Sequence, residues 1–236
     1  MPAAIEKNYP KEWIHDDEEG GKNNYEDKFL GDQLKRLNLG DIKWEYIKVT
    51  NNEIGKSFED NALNYLKNDL TVVVYNFVDM LSHARTEMEV LKELAGDELS
   101  YRSITSSWFE HSPLFGGLKK LADKNIQLII TTDHGTTRVK TPAKVVGDKA
   151  TTSNLRYKHG RNLQYKEKEV FSIVNPNEAG LPQPNVNSKY IFAREDIFLC
   201  YPNNFNYYAN YYKNTFQHGG ISLEEIIVPI IRMESK

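Results

Sequence analysis

The chain has 236 residues, of which 39% are hydrophobic and 11% aromatic, and 30 basic and 33 acidic residues leave a formal net charge of −3. These totals are typical of a folded protein and exclude a largely disordered chain, while the small net charge argues neither for nor against nucleic-acid binding. No stretch approaches the ~20 apolar residues of a membrane helix, which excludes an integral membrane protein of the helical class.

The cysteine content and the N-terminus bear on location. Cys200 is the single cysteine of the sequence and can form no internal disulfide. Residues 1–7 contain no apolar core of the kind that a signal peptide needs. A cytoplasmic protein in a reducing environment, without membrane contact, is therefore expected.

The first half of the chain predicts alternating helices and strands. Apolar residues at helical spacing predict helices, and short β-branched or alternating runs predict strands. A strand, helix, helix, strand order predicts parallel pairing through crossover connections. After an irregular start over 1–23, the predicted elements are a helix over 24–37, a strand around 42–48, a helix from Ser57, a strand over 70–77, a helix to about 94, a helix over 100–124 that breaks near Pro113, and a strand over 126–130.

Two of these strands end in candidate metal ligands. The strand over 70–77 leads into Asp79, and His83 follows four residues later, on the same face of a starting helix. The strand over 126–130 leads into Asp133 and His134. Ligands of open α/β sheets collect beyond the carboxyl ends of the strands, and carboxylate and imidazole are both common zinc ligands. The alternative for the second pair is a strand-end turn capped by Asp133.

The second half changes in composition. Residues 136–168 are strongly basic, and short strands are predicted over 170–174, 190–193 and 197–201. A segment rich in tyrosine and asparagine follows over 201–214. Ser222 and Glu225 have the spacing of a capping box, which predicts a short helix. Pro229 lies in the last apolar run, 226–231, which favours an edge strand or a bulge there.

A third candidate ligand, His218, stands before two glycines in this half. A lone histidine beside a glycine is more often a hydrogen-bonded structural residue than a metal ligand. The coincidence of three such places, each beside a predicted strand end, favours a metal site.

These motifs resemble those of a known superfamily. Asp79-x-x-x-His83, then Thr132-Asp133-His134-Gly135, then His218-Gly-Gly-x-Ser222-x-x-Glu225 are similar in order and spacing to the alkaline phosphatase superfamily. The amino-acid sequences of the segments 75–88 and 210–229 resemble more closely still the PglZ-type domain of PorX-like response regulators. In these bacterial proteins a receiver domain precedes a phosphatase-like domain. The resemblance covers nearly the whole chain.

The resemblance implies an α/β fold with a mostly parallel sheet flanked by helices on both faces, and two zinc ions in one cleft. One zinc would be bound by Asp79, His83 and His218. The other would be bound by Asp133 and His134, together with an aspartate and a Thr or Ser nucleophile from the beginning of the domain. Two metal ions stabilise the entering and leaving oxygens of an in-line displacement.

This sequence departs from the family pattern at its start, because nothing before residue 24 resembles an apolar strand that ends in an acid. We therefore expect a single, N-terminally truncated domain over 1–236 that lacks its first strand and nucleophile segment, with no catalytic nucleophile in this chain. One well-liganded zinc site is expected to remain. Residues 136–215 are expected to form a basic and Tyr/Asn-rich insertion or cap region.

Two features of that region have alternative interpretations. Arg156, Lys158, His159 and Arg161 are candidate phosphate contacts, because arginine suits bidentate binding of phosphate oxygens, but most charge runs are solvated loops. The Tyr/Asn segment could stack nucleic-acid bases, or it could be a packed aromatic layer, which we favour.

The favoured function is a zinc-dependent phosphoesterase domain, of phosphodiesterase type, within a PorX-like two-component regulator linked to type IX secretion. Its substrate would be a phosphoester, with an oligonucleotide or cyclic nucleotide as candidates. Its partners would be an upstream receiver domain, a sensor kinase and a second copy in a homodimer. The alternatives are a phosphomonoesterase or phosphoglycerate-mutase-like enzyme, and a catalytically silent zinc-binding regulatory or dimerisation module.

Overall fold

The structure is a computed structural model, and it describes residues 2–13, 24–94, 96–148 and 151–234. Within helices around residues 83–92, several side chains, including that of His83, lie outside what it describes. The chain divides into two compact units. Unit 1 comprises Met1–Lys22 and Thr132–Pro229, and unit 2 comprises Asn23–Thr131 and Ile230–Lys236.

Unit 2 contains most of the predicted helices. Its elements, numbered in chain order through the whole protein, are α2 (Glu26–Arg36), β1 (Trp44–Val49), α3 (Asn52–Asn61), a 3-10 helix (Ala62–Lys67), β2 (Leu70–Tyr75), α4 (Phe77–Glu87), α5 (Glu89–Leu94), α6 (Glu98–His111), α7 (Pro113–Leu121), β3 (Gln127–Thr131) and β11 (Ile230–Glu234).

Three helices of unit 2, namely α3, α6 and α7, begin where a polar side chain satisfies a free backbone N–H group. The Asn51 side chain accepts a hydrogen bond from Ile54 N at the start of α3, and Ser112 accepts one from Phe115 N at the start of α7. Pro113 occupies the first turn of α7, where its missing N–H costs nothing. The predicted break near Pro113 is confirmed, since Ser112 separates α6 from α7.

The aromatic packing of unit 2 fixes the start of α4. The ring of Trp108 on α6 stacks on Phe77 with the centroids 4.0 Å apart and 5° between the planes, and it meets Tyr75 edge-on. This packing holds the end of β2 and the first turn of α4 against α6. Asp79 lies in that first turn, and its side chain is exposed.

The strands of unit 2 form two separate pairs. β1 and β2 are parallel, from Trp44↔Leu70 to Val49↔Tyr75, as the crossover order predicts. β3 pairs with β11 in the antiparallel direction, from Ile230↔Thr131 to Glu234↔Gln127. The expectation of a mostly parallel sheet is therefore wrong for β3. The strand that begins directly after Pro229 comes from the far end of the chain, and no local pattern shows its direction.

Unit 1 is built from short strands joined by long connections. Its elements are α1 (Pro2–Asn8), β4 (Thr137–Arg138), β5 (Thr141–Lys144), β6 (Tyr157–Gly160), 3-10 helices (Glu167–Glu169 and Pro176–Ala179), β7 (Val170–Ile173), β8 (Lys189–Ala193), β9 (Ile197–Cys200), α8 (Phe205–Tyr212), β10 (Phe216–Gln217) and α9 (Leu223–Ile226).

The strands of unit 1 are mostly antiparallel. β6, β8 and β7 form a three-stranded antiparallel sheet with β8 in the centre, and β5 lies parallel to β9. One buried cluster packs between these strands, and a second surrounds Phe198. The buried residues of the first cluster are Ala143, Val145, Val170, Ile191, Ala193 and Leu199. The sheets described here are small, and they are not mostly parallel.

The remaining outcomes concern individual elements. The predicted strands at 70–77, 126–130, 170–174, 190–193 and 197–201 are confirmed to within two residues. The irregular start was wrong, because Pro2–Asn8 form α1, whereas residues 14–23 lie outside the described residues. The helix predicted from Ser57 begins earlier, at Asn52. Helix α8 within the Tyr/Asn segment was not predicted.

The predicted insertion over 136–215 lies within unit 1. That it is an insertion in a single truncated domain stays a prediction. Within the described ranges, no helix combines the length and the hydrophobicity that crossing a membrane requires.

Candidate metal centre

A short antiparallel ladder in unit 1 brings two of the predicted metal ligands together. β4 pairs with β10 through Phe216↔Arg138 and Gln217↔Thr137, and Val139 N donates to Thr215 O over 3.0 Å. The segment 134–136 precedes β4, and residues 218–220 follow β10. In an antiparallel pair these two flanking segments leave the ladder at the same end. The strand pairing therefore places His134 beside His218, although 84 positions separate them along the chain.

The rings of His134 and His218 stack, with centroids 4.0 Å apart and 16° between their planes. A ring nitrogen of each lies within 4.8 Å of the other. Both side chains are half-buried. The Nδ1 atom of His134 lies 3.0 Å from the carbonyl oxygen of Gly135. Because a carbonyl only accepts hydrogen bonds, Nδ1 carries the proton, and in the neutral ring Nε2 is left with the lone pair that binds a metal.

Asp133 is held by its neighbours in a turn. Its Oδ1 accepts hydrogen bonds from His134 N over 3.0 Å and from Thr132 Oγ1 over 3.3 Å. Its Oδ2 lies 3.8 Å from Nε2 of His134, and the side chain is 84% exposed. The geometry is therefore compatible with both predicted roles of Asp133, the turn cap and the metal ligand. Oδ1 caps the turn, and Oδ2 faces Nε2 of His134.

The glycine of the Asp-His-Gly triplet is required by a close backbone contact. Gly135 N donates to Glu225 O over 2.9 Å. A Cβ atom at Gly135 would lie 2.0 Å from the carbonyl oxygen of Glu224, a separation that no real contact allows. Only glycine lets the segment after His134 approach the backbone of α9 this closely.

Glu225 is the centre of a buried polar network. The side chain is 1% exposed, and its oxygens accept hydrogen bonds from Gly220 N (2.9 Å), Ser222 N (3.0 Å) and Ser222 Oγ (2.8 Å). The predicted capping box of Ser222 and Glu225 is confirmed. Arg156 Nε and Nη2 donate to the same carboxylate over 2.8 and 2.7 Å. Burial alone would raise the pKa of Glu225, but Arg156 and these hydrogen bonds outweigh burial and hold the pKa below its usual value.

Arg156 is fully buried, and its other donors bind backbone carbonyls. Nη2 donates to Glu195 O over 2.8 Å and to Ala193 O over 3.4 Å, and Nη1 donates to Ile197 O. A guanidinium engaged in this way favours a structural role for Arg156 over the predicted phosphate contact. A single sequence contains no signal that pairs two residues 69 positions apart.

The other three predicted phosphate contacts lie in different surroundings. Lys158 is fully buried on β6, with its Nζ 4.3 Å from the ring centre of Tyr201, and burial lowers the pKa of Lys158 to about 8. The ring of His159 stacks on Tyr190 at 4.7 Å. Arg161 is about half exposed, and its Nε lies 3.0 Å from Asp148 Oδ2. Their role in binding phosphate stays a prediction.

Asp79 belongs to unit 2, where its exposed side chain lies in the first turn of α4. The side chain of His83 lies outside the described residues. Their assignment as ligands also stays a prediction. Within unit 1, the structure pairs His134 with His218, which the prediction had assigned to separate zinc ions.

The family follows from a comparison with known protein families. Residues 6–233 match the profile described as the BREX system PglZ alkaline phosphatase-like domain. The chain belongs to the PglZ family. A comparison with curated proteins found no match.

The match of nearly the whole PglZ chain to an alkaline phosphatase-like family supports a phosphoesterase-type fold. Domains of that type generally use metal ions. The stacked histidine pair of unit 1 therefore belongs to a protein whose family generally binds metal ions, and histidine is a common metal ligand.

Proposed function

We propose that this PglZ domain is a zinc-dependent phosphoesterase domain and that His134 and His218 are two of its metal ligands. Phosphodiesters are the proposed substrates, with oligonucleotides and cyclic nucleotides as candidates. The observation that supports the proposal most directly is the stacked histidine pair, in which a hydrogen bond to Gly135 O directs the lone pair of His134 to Nε2.

The donor set of unit 1 fits a zinc ion. Two imidazole nitrogens that bind one zinc at about 2 Å lie at most about 4 Å apart. The ring nitrogens of His134 and His218 lie within 4.8 Å of each other, and because the rings are stacked, at least one ring would turn out of the stack for both to bind one ion. The Oδ2 atom of Asp133 adds an exposed carboxylate 3.8 Å from His134 Nε2. Zinc bound at such a site would polarise a phosphoryl oxygen and lower the pKa of an attacking hydroxyl or water.

The protein's own residues would orient these ligands. Gly135 O fixes the tautomer of His134, and hydrogen bonds from Thr132 Oγ1 and His134 N hold Oδ1 of Asp133, which leaves Oδ2 for a metal. Asp79 and His83 complete the proposed ligand set by family resemblance, and a second zinc ion belongs to the same proposal. The nucleophile is not assigned to any residue of this chain.

Metal binding tests the proposal. Zinc titration by calorimetry is expected to give tight binding to the whole chain, and His134→Ala and His218→Ala are each expected to weaken it at least about tenfold. If the two histidines bind one ion, the His134→Ala/His218→Ala double variant is expected to lose little more than either single variant; additive losses would assign them to the two separate zinc ions that the resemblance implies. His111→Ala is the matched control, since His111 on α6 also places its Nδ1 against a carbonyl, that of Ser107. Equal zinc affinity in the wild type and all four variants would refute the proposed ligands.

The substrate class is tested with two chromogenic phosphate esters, a diester and a monoester, on the zinc-loaded protein. Faster zinc-dependent turnover of the diester is expected. Faster turnover of the monoester would favour the phosphomonoesterase alternative. Zinc binding without turnover of either substrate would favour the catalytically silent regulatory module.

The proposal extends to the cellular context implied by the resemblance. We propose a cytoplasmic PorX-like response regulator, with a receiver domain before this domain, a sensor kinase as its partner, and a homodimer as its assembly. The family match supports the PglZ domain of this arrangement.

A further inference from the structure

Arg156 and Glu225 are not proposed ligands, but Glu225 contacts the chain directly after each histidine, at Gly135 and at Gly220. We infer that this buried pair positions His134 and His218 relative to one another, so that Arg156 and Glu225 are positioning residues for metal binding. The effect on metal binding rests on the proposed function, whereas the positioning of the two histidines rests only on contacts within unit 1.

The side chain of Glu225 shapes the loop that follows His218. Its two oxygens bind the N–H of Gly220 and both the N–H and the hydroxyl of Ser222. Gly219 has a φ of 100°, a conformation that favours glycine. A Cβ at Gly220 would lie 2.7 Å from Glu225 Oε2 and 2.8 Å from Arg156 Nη2. The two glycines after His218 therefore let the chain wrap closely around the ion pair.

The backbone of Glu225 holds the other histidine. Its carbonyl oxygen accepts the hydrogen bond from Gly135 N, one residue after His134. Gly135 O in turn receives the Nδ1–H of His134. One residue thus contacts the segment of each histidine, through its side chain on one side and its carbonyl on the other.

Arg156 connects this arrangement to the sheets of unit 1. Its guanidinium binds Glu225 with two nitrogens and the carbonyls of Ala193, Glu195 and Ile197, which lie at the end of β8, in the following turn and at the start of β9. The carboxylate is therefore anchored to residues on both sides of the β8–β9 turn. Displacing Arg156 would release Glu225 from this anchor and loosen the loop after His218.

The energetics of a buried ion pair support positioning over stabilisation alone. Burial of both charges costs much of what their attraction returns, and apolar residues of similar volume are often equally stabilising. Such residues could not bind Gly220 N, Ser222 N and Ser222 Oγ. What the pair contributes, and an apolar pair would not, is the fixed shape of residues 219–222.

The test replaces both charges together. The double variant Arg156→Met/Glu225→Leu fills similar volume without leaving a lone buried charge, and Arg156→Lys keeps the charge but loses the two-nitrogen contact. Arg194→Met is the matched control, because it removes an arginine of the same β8–β9 turn whose Nε donates to Val170 O over 2.8 Å rather than to Glu225. Thermal unfolding identifies the variants that fold.

Two measurements are made on the folded proteins. Zinc affinity is expected to fall about 10–100-fold in the double variant and by less in Arg156→Lys, while Arg194→Met keeps the wild-type affinity. In the metal-free proteins, long-range ¹H–¹⁵N NMR of the histidine rings is expected to show one Nδ1–H tautomer for His134 in the wild type and a mixture of tautomers in the double variant.

Each outcome has a defined meaning. Wild-type zinc affinity and an unchanged His134 tautomer in the folded double variant would overturn the inference. If the double variant does not fold, Arg156→Lys decides by the same two criteria. A wild-type protein that binds no zinc would defeat the proposed function, and the tautomer of the metal-free protein would still test the positioning role.

Discussion

Lys158 and Arg156 are both fully buried, but their charges are balanced in different ways. Arg156 donates to a carboxylate and to three carbonyl oxygens. For the Nζ atom of Lys158 the structure shows no hydrogen-bond partner, and its contact is the ring face of Tyr201. A ring face returns only part of the hydration that a buried ammonium loses. Lys158 therefore lowers the stability of the folded state at neutral pH.

Lys158→Met is expected to raise the free energy of unfolding at pH 7 by on the order of 2 kcal/mol. Burial lowers the pKa of Lys158 from 10.5 to about 8 in the folded protein. The folded state thus binds fewer protons than the unfolded state between these values, so the destabilisation is complete below about pH 8 and fades as the pH rises towards 10.5.

Urea unfolding of both proteins from pH 7 to pH 10 measures this effect. The advantage of the methionine variant is expected to shrink across that range. Taking the difference between the two proteins removes most of the effect of Cys200, whose thiol pKa burial raises to about 11. A constant difference over the whole range would contradict the assignment.

Residue types and spacing predicted the Ser222/Glu225 capping box, which is confirmed, and they selected His134 and His218, whose rings stack, as candidate ligands. They were not sufficient to separate structural cations from surface cations. Arg156, Lys158 and Arg161 belong to one basic segment of the sequence, but two are fully buried and the third is about half exposed. Burial depends on which strands cover a residue, and the segment itself carries no information on its distant neighbours.

At the scale of elements, the start of α3 shows how a cap competes with apolar spacing. The apolar pattern predicts a helix from Ser57, but α3 begins at Asn52 because Asn51 lies extended and its side chain accepts a hydrogen bond from Ile54 N over 2.9 Å. The cap satisfies the N–H of Ile54, about one turn before Phe58, the first apolar residue of the predicted pattern.

Asn51→Ala is therefore expected to lower the free energy of unfolding by about 1 kcal/mol. Asn76→Ala is the control, because Asn76 stands at the corresponding position of α4 but its side chain makes no capping hydrogen bond. Chemical denaturation of both variants provides the comparison. Equal losses would show that the cap of α3 contributes nothing specific.

Strand existence was predictable from local sequence, whereas strand partners were not. The runs at β2 and β3 are rich in β-branched residues, which identifies them as strands. β2 pairs in parallel with β1, and β3 pairs antiparallel with β11. A parallel and an antiparallel neighbour can each satisfy the backbone N–H and C=O groups of a strand. The direction of pairing therefore depends on how distant parts of the chain return to that strand.

At the scale of the whole molecule, the chain enters unit 1 after Thr131 and returns to unit 2 at Ile230. β11 is thus a C-terminal segment that completes an N-terminal unit. Its pairing with β3 provides the ladder partner of residues 127–131. The integrity of β3 therefore depends on residues about a hundred positions away.

A truncation after Pro229 is expected to remove protection from β3 and leave unit 1 intact. Hydrogen exchange followed by mass spectrometry measures this effect. Amides of 127–131 are expected to exchange much faster in the truncated protein, while amides of 189–200, in β8 and β9, keep the wild-type rates. An Asn51→Ala protein of full length is the control for a general loss of stability. A uniform increase over both regions would show that the two units do not respond separately.

The amino-acid sequence by itself determined that strands at 70–77 and 126–130 exist, that acids and histidines follow them, and that the chain resembles PglZ domains. Each of these features is read from short runs of residues, because propensity and periodicity act within one helix or strand and each motif of the resemblance is itself a short segment. Only the tertiary structure decided that His134 stacks on His218, that Arg156 is buried against Glu225, and that β3 pairs with β11. Each of these contacts joins distant residues through backbone pairing or shared burial, and no short segment encodes its own distant partner.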